Sequence, residues 1–243
     1  MGWICLPKIS LVRKNLPRQK SRGIGIIGAN LGINTGTPDP VADIVKLTER
    51  VGSLADYLVV NVSCPNTPGL VQWQTADRLA QIVGAARDAL GSMDGKKPPL
   101  LVKIAPDLSD NDLAAVAKVA LSVGVDGLIA ANTTVALPSS LRSSSAPEAG
   151  GLSGPALFEP ATRALGILYQ LTGGALPIIG CGGVASGADA YTKIRAGASL
   201  IQLYTALIYG GLGLVREIKQ SLAAKLKSDG FRSFAEAVGA DHR

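Results

Sequence analysis

The sequence predicts an α/β fold with a parallel sheet, and three observations predict it. Six short apolar runs recur along the chain, each ending in a polar residue or a glycine. Continuous apolar runs of that length are how strands buried on both faces read. Between them lie longer segments with apolar residues at helical spacing, and such alternation implies parallel crossovers.

The runs, in order, are residues 25–29 ending in Asn30, 57–60 ending in Asn61, and 99–102 ending in Lys103. Residues 126–131 follow and end in Asn132, 177–181 end in Gly182-Gly183, and 199–203 end in Tyr204-Thr205. Helices are predicted over 39–51, 75–90, 109–123, 160–171, 186–196 and 213–227. Ser109, before an Asp-Asn-Asp turn, and Ser186, after the Gly-Gly exit, are expected N-caps. In such an arrangement all strand exits share one face of the sheet. Asn30, Asn61, Lys103, Asn132, Gly182-Gly183 and Tyr204-Thr205 then ring one mouth, which is the geometry of a (β/α)8 barrel's active face. Only six βα units are found, although 243 residues are about enough for eight. Residues 133–159 form a long loop, Ser-rich between Ser139 and Ser145, and residues 1–22 show no buried strand. The fold is therefore either an open six-stranded sheet or a barrel lacking two N-terminal units.

Net charge is +6, yet its distribution decides its meaning. Lys8, Arg13, Lys14, Arg18, Lys20 and Arg22 all precede the first acid, Asp39, and the remaining 18 basic and 18 acidic residues balance. Residues 1–22 read as a basic head and 23–243 as the single domain. The head is either a solvated end, a transit peptide or a contact for an anionic surface. Aromatics are 4% with no basic-aromatic interleaving, so nucleic acid is not an expected partner. No apolar run reaches membrane-spanning length. Three cysteines without paired spacing argue against a disulfide framework or a structural zinc. The one histidine, His242, is next to last, which removes most triad chemistry and most metal-ligand sets; no metal site is expected.

Acid–base work then falls to Cys, Lys, Ser, Tyr or a carboxylate. The richest segment is Asn61-Val62-Ser63-Cys64-Pro65-Asn66-Thr67-Pro68-Gly69-Leu70, at the exit of the second strand. Prolines stiffen it and hold out amides, hydroxyls and a thiol. Cys64 reads as a proton-abstracting base or nucleophile, against the usual fate of cysteine as an inert buried thiol. Cys181, inside an apolar run, reads as inert, and Cys5 as incidental. Gly180-Cys181-Gly182-Gly183-Val184 before the Ser186-led helix reads as a phosphate site made of bare backbone N–H groups, or as a tight turn that binds nothing. Lys103 ends an apolar strand, so its ammonium wants an anionic partner unless it snorkels to water. Asn30, Asn61, Asn66 and Asn132 suit a planar heterocycle with amide edges; singly, each could be a turn former.

Several motifs carry a resemblance: Asn61 to Leu70, Leu101-Val-Lys-Ile-Ala-Pro-Asp-Leu108, Asn132-Thr-Thr134, Gly150-Gly-Leu-Ser-Gly154, Gly180-Cys-Gly-Gly183, Ile194-Arg-Ala-Gly-Ala-Ser199 and the ending Gly239-Ala-Asp-His-Arg243. Together, and in order from Gly23 onward, they resemble the dihydroorotate dehydrogenase family, best its quinone-linked, membrane-associated class. The resemblance implies a (β/α)8 TIM barrel of which about six C-terminal βα units are present, and an FMN-dependent oxidoreductase of pyrimidine synthesis. It implies oxidation of dihydroorotate to orotate, with quinone as electron acceptor. By position it makes Cys64 the base, and gives Asn61, Asn66, Asn132 and Thr133 to the substrate. Asn30, Asn61 and Lys103 fall near the flavin ring, and Gly154, Gly182, Gly183, Tyr204 and Thr205 at its phosphate.

The quinone-linked class normally carries serine where Cys64 stands, cysteine being typical of the soluble class. Ala131 and Val71 also replace residues usually polar in this class. The family's first two strands and the helical pair at its membrane and quinone entrance have no counterpart here, so membrane association is expected to lie in that missing part. The implied location is the mitochondrial inner membrane or, alternatively, a bacterial cytoplasmic membrane. The runners-up are another FMN barrel oxidoreductase acting on pyrimidines and a non-catalytic barrel fragment.

Overall fold

The computed structural model describes residues 25–34, 36–63, 70–95, 97–139, 141 and 150–243. Six strands, β1 (Gly28–Gly32), β2 (Tyr57–Asn61), β3 (Leu100–Ile104), β4 (Gly127–Ala130), β5 (Ile178–Cys181) and β6 (Ala198–Gln202), form one parallel sheet in sequential order. Among the described residues the sheet does not close: β1 and β6 are edges. This is the six-unit series of a barrel wall.

Helices follow the strands as the periodicity predicts: α1 (Pro40–Val51), α2 (Ala76–Gly91), α3 (Asp110–Val123), α4 (Phe158–Leu171), α5 (Gly187–Arg195) and α7 (Gly213–Ser228). Both expected caps form. Ser109 Oγ accepts from the Asp112 amide at 3.2 Å and Ser186 Oγ from that of Asp189 at 3.1 Å. Asp39 does the same for α1, accepting from Ala42 N at 3.0 Å. Two short helices, α6 (Thr205–Gly210) and α8 (Phe234–Ala237), and three 3-10 turns escape the periodicity because they are too short to repeat it.

Strand alternation divides the apolar residues into two layers. Leu58, Val60, Leu100, Val102, Leu128 and Ile178 point outward into the large core under the helices. Val59, Leu101 and Ile129, joined by Tyr57, Ile179 and Cys181, form a smaller cluster on the inner face. In β1 the outward pair is Ala29 and Leu31, which leaves Gly28, Asn30 and Gly32 inward. A Cβ on Gly28 would lie 2.0 Å from the Tyr57 ring, so a side chain there requires that ring to move. The open side leaves apolar surface bare: Ile26 is 82% exposed beside β1 and Leu200 is 60% exposed on β6.

Candidate functional site

β1 runs three residues later than expected, so Asn30 is a mid-strand residue beside Val59, one inward step below Asn61. Lys103 likewise lies within β3, directly beside Asn61. Its stem is half-buried, and among the described residues it makes no ion pair. Asn61, Asn132, Gly182-Gly183 and Tyr204-Thr205 stand at strand exits on one side of the sheet, as predicted.

Two exits are tied together by a residue that the sequence reading had noted only as a neighbour. Ser63 is buried and donates from both its amide (3.2 Å) and its hydroxyl (3.0 Å) to Asn61 Oδ1. The Asn132 amide donates to Ser63 O at 2.9 Å and to Ser63 Oγ at 3.1 Å. Asn61 and Asn132 are therefore fixed through Ser63, and among the described residues each keeps half of its amide capacity free. Thr133 is half-buried beside Asn132. Cys64 and Asn66 lie outside the described residues. Gln74, just after that loop, accepts from Ala105 N at 2.8 Å, while its buried Nε2 has no partner among the described residues.

Asp107, the carboxylate nearest a strand exit, serves the chain itself. It accepts from Val135 N at 3.1 Å and from the Thr134 hydroxyl. Thr134 also pairs with Leu152 as an isolated bridge, with N···O distances of 3.1 and 2.8 Å. These contacts close the base of the long loop predicted over 133–159.

The glycine turn has the geometry of an anion cradle. Gly182 (φ 98°) and Gly183 (φ 71°) are both left-handed. A Cβ on Gly183 would lie 2.6 Å from the Phe158 backbone, and one on Gly182 would lie 2.8 Å from Leu157. Among the described residues the N–H groups of Gly182, Gly183 and Val184 have no acceptor. Consecutive free N–H groups in such a turn form a concave anion site. Gly154 and Thr205 close onto the same region: the position of a Gly154 Cβ is 3.7 Å from Thr205 Cγ2, and Thr205 Oγ1 donates to Ser153 Oγ at 2.9 Å. Tyr204 precedes α6 and is 66% exposed. Cys181 is half-buried on the inner face rather than within the outer core, because Gly180 takes the outward position.

Sequence reasoning also missed Lys193. It is wholly buried on α5 and donates to Thr162 Oγ1 at 2.9 Å. The available signal was its spacing: a lysine set among Ala190, Ile194 and Gly197 on the helix's apolar side. His242, set aside on sequence, is a structural latch. Gln170 Nε2 lies 3.0 Å from His242 Nδ1, and His242 Nε2 lies 3.1 Å from Ala196 O. This pairing fixes the Nε2–H tautomer. The ring stacks on Tyr169 at 5.5 Å.

A parallel barrel wall with amides and a glycine turn of free N–H groups at its strand exits, and Lys103 within β3 beside Asn61, defines the class: an α/β protein of the (β/α)-barrel type. A sequence profile for dihydroorotate dehydrogenase matches residues 7–226. The chain belongs to the dihydroorotate dehydrogenase family. It is 53% identical over 232 residues to the dihydroorotate dehydrogenase (quinone) of Azorhizobium caulinodans, covering 94% of this chain and 65% of that protein. It is 52% identical over 225 residues to the mitochondrial dihydroorotate dehydrogenase (quinone) of Oryza sativa, covering 91% and 48%. The ligand-free enzyme of Eimeria tenella superposes with a TM-score of 0.92 at 39% identity, covering 98% of this chain and 70% of that one. The chain thus spans about half to two thirds of the curated relatives it matches. Among the described residues no helix is long and apolar enough to cross a membrane.

Proposed function

We propose that this chain carries the catalytic mouth of an FMN-dependent enzyme that oxidises dihydroorotate to orotate and passes the electrons to quinone. The observation that carries the proposal is the convergence, on one mouth, of the Asn61–Ser63–Asn132 network and the unpaired glycine turn, in a chain about half identical to quinone-type relatives. The fit to FMN rests on that turn: free N–H groups, obligatory glycines and a neighbouring hydroxyl suit a phosphate. When bound, FMN supplies the two-electron acceptor that none of the twenty side chains provides.

In this reading Gly154, Gly182, Gly183, Tyr204 and Thr205 hold the phosphate, and Asn30, Asn61 and Lys103 border the flavin ring. The amide edges that Asn61 and Asn132 keep free among the described residues, together with Asn66 and Thr133, orient the substrate ring. Cys64, as thiolate, takes the proton from the ring carbon next to the carboxylate-bearing carbon, and that second carbon gives up hydride as the ring double bond forms. A thiol's reference pKa of ~8.5 makes it an easier base near neutrality than a hydroxyl. In this reading residues 23–243 make up one flavin-binding unit, preceded in sequence by the basic segment 1–22. We place the reaction at the mitochondrial inner membrane or a bacterial cytoplasmic membrane.

The test is the visible spectrum of the chain refolded with FMN, read before and after anaerobic dihydroorotate. A flavin band that bleaches is the expected result, and Cys64→Ala should slow the bleaching by roughly 10²–10⁴-fold. Unchanged bleaching in that variant removes Cys64 as the base. The unpaired β1 and β6 edges among the described residues support a second reading, a barrel fold without turnover. A folded preparation that takes up no flavin would favour it.

A further inference from the structure

Lys193 is a fully buried amine that no role above uses. Burying an ammonium is costly unless something negative compensates it. Among the described residues it has no ion pair and one hydrogen bond, to Thr162 Oγ1, which itself donates to Phe158 O at 2.6 Å. The ammonium sits 4.9 Å from the centroid of the Phe158 ring. The backbone of that same Phe158 is what a Cβ on Gly183 would strike at 2.6 Å, and a Cβ on Gly180 would lie 3.2 Å from Lys193 Cδ. The amine and the glycine turn therefore both border Phe158, one at its ring and the other at its backbone. Side chains on a helix lean toward its N-terminus, which carries the Lys193 stem toward the turn that precedes α5.

We propose that Lys193 is the buried counter-charge of the anion site, a positioning residue whose ammonium, held on Thr162 behind Phe158 and Gly183, balances the doubly charged phosphate received by the glycine turn. The proposal rests on the flavin reading above. The turn's own N–H groups are neutral, so a dianion held there leaves uncompensated charge in a region of low dielectric. Lys193 supplies charge without touching the ligand. The ionisable groups that act on it are Cys181 from β5, Asp189 from its own helix and Glu159 from α4. All three favour its charged form, but burial outweighs them and lowers its pKa from 10.5 to about 8. A phosphate in the turn restores the proton, so binding above pH 8 takes up a proton.

The experiment compares FMN with riboflavin, which lacks the phosphate, by fluorescence titration of the whole chain between pH 7.5 and 9.5. The phosphate is already dianionic throughout, its second pKa being about 6, and ring ionisation is common to both ligands. FMN affinity should fall by up to about tenfold per pH unit above pH 8, as one coupled proton requires, while riboflavin shows no such fall. Lys193→Met should flatten the FMN profile. Thiols as a class ionise in the same range, so Cys181→Ala must keep the slope. Parallel FMN and riboflavin profiles, or a slope lost in Cys181→Ala, overturn the proposal while leaving the flavin reading intact. Failure to bind either flavin overturns both.

Discussion

Individual residues set the chemistry, and two of them give sharp expectations. Gly183 combines a left-handed backbone with contact against the Phe158 main chain, so no side chain can enter without moving α4. Gly183→Ala should cost about 2 kcal/mol or more and abolish flavin uptake, read by denaturant titration and by absorbance. Lys193 acts in the opposite sense on the ligand-free fold. Its native pKa is lowered, so the unfolded chain binds more protons between pH 8 and 10.5. Below pH 8 both states are protonated and the burial penalty is fully present; stability should rise as pH climbs through that window. A gain on the order of 2–3 kcal/mol is expected, checked by urea midpoints at pH 7.5 and 10 against Lys193→Met, which should lack the rise.

At the level of elements, the tail and the helices beside it form one latch. His242 bridges Gln170 on α4 and Ala196 after α5, while Gly239 N donates to Ile194 O at 3.0 Å. Arg195 pairs with Asp241 at 2.6 Å, and Tyr191 donates to Asp229 at 2.5 Å. The exposed ion pair adds little. The stacked, hydrogen-bonded histidine adds more, and His242→Ala should lower stability by about 1–2 kcal/mol in thermal or urea unfolding. The latch seats α4 and α5, the two helices between which Lys193 and Thr162 meet. Flavin uptake should therefore weaken with it.

On the scale of the molecule, the sheet has two unpaired edges among the described residues, and apolar side chains crowd near one of them. Ile208 is 66% exposed, Tyr209 87% and Leu212 85%, all following β6. Open edges and contiguous apolar surface invite association. The 243-residue chain on its own should self-associate with concentration in sedimentation velocity and bind FMN weakly. A monodisperse monomer with tight flavin would contradict this.

Much was legible from residue order alone. Six apolar runs, six helical stretches and the caps at Ser109 and Ser186 are local patterns, and each forms at or near its pattern, β1 being displaced by three residues and β6 half-exposed as an edge. The strand-exit mouth followed because parallel crossovers put every exit on one side, and the motifs around Asn61, Asn132 and Gly182-Gly183 identified the family. Tertiary structure alone decided the rest. Ser63 as the clasp between two exits, Asp107 as an anchor of the chain, His242 as a latch and Lys193 as a buried charge all depend on partners 27 to 72 residues away in sequence. No local pattern encodes such a pairing. It exists only once parallel strands bring distant exits side by side and the burial of the helices fixes which side chains face inward.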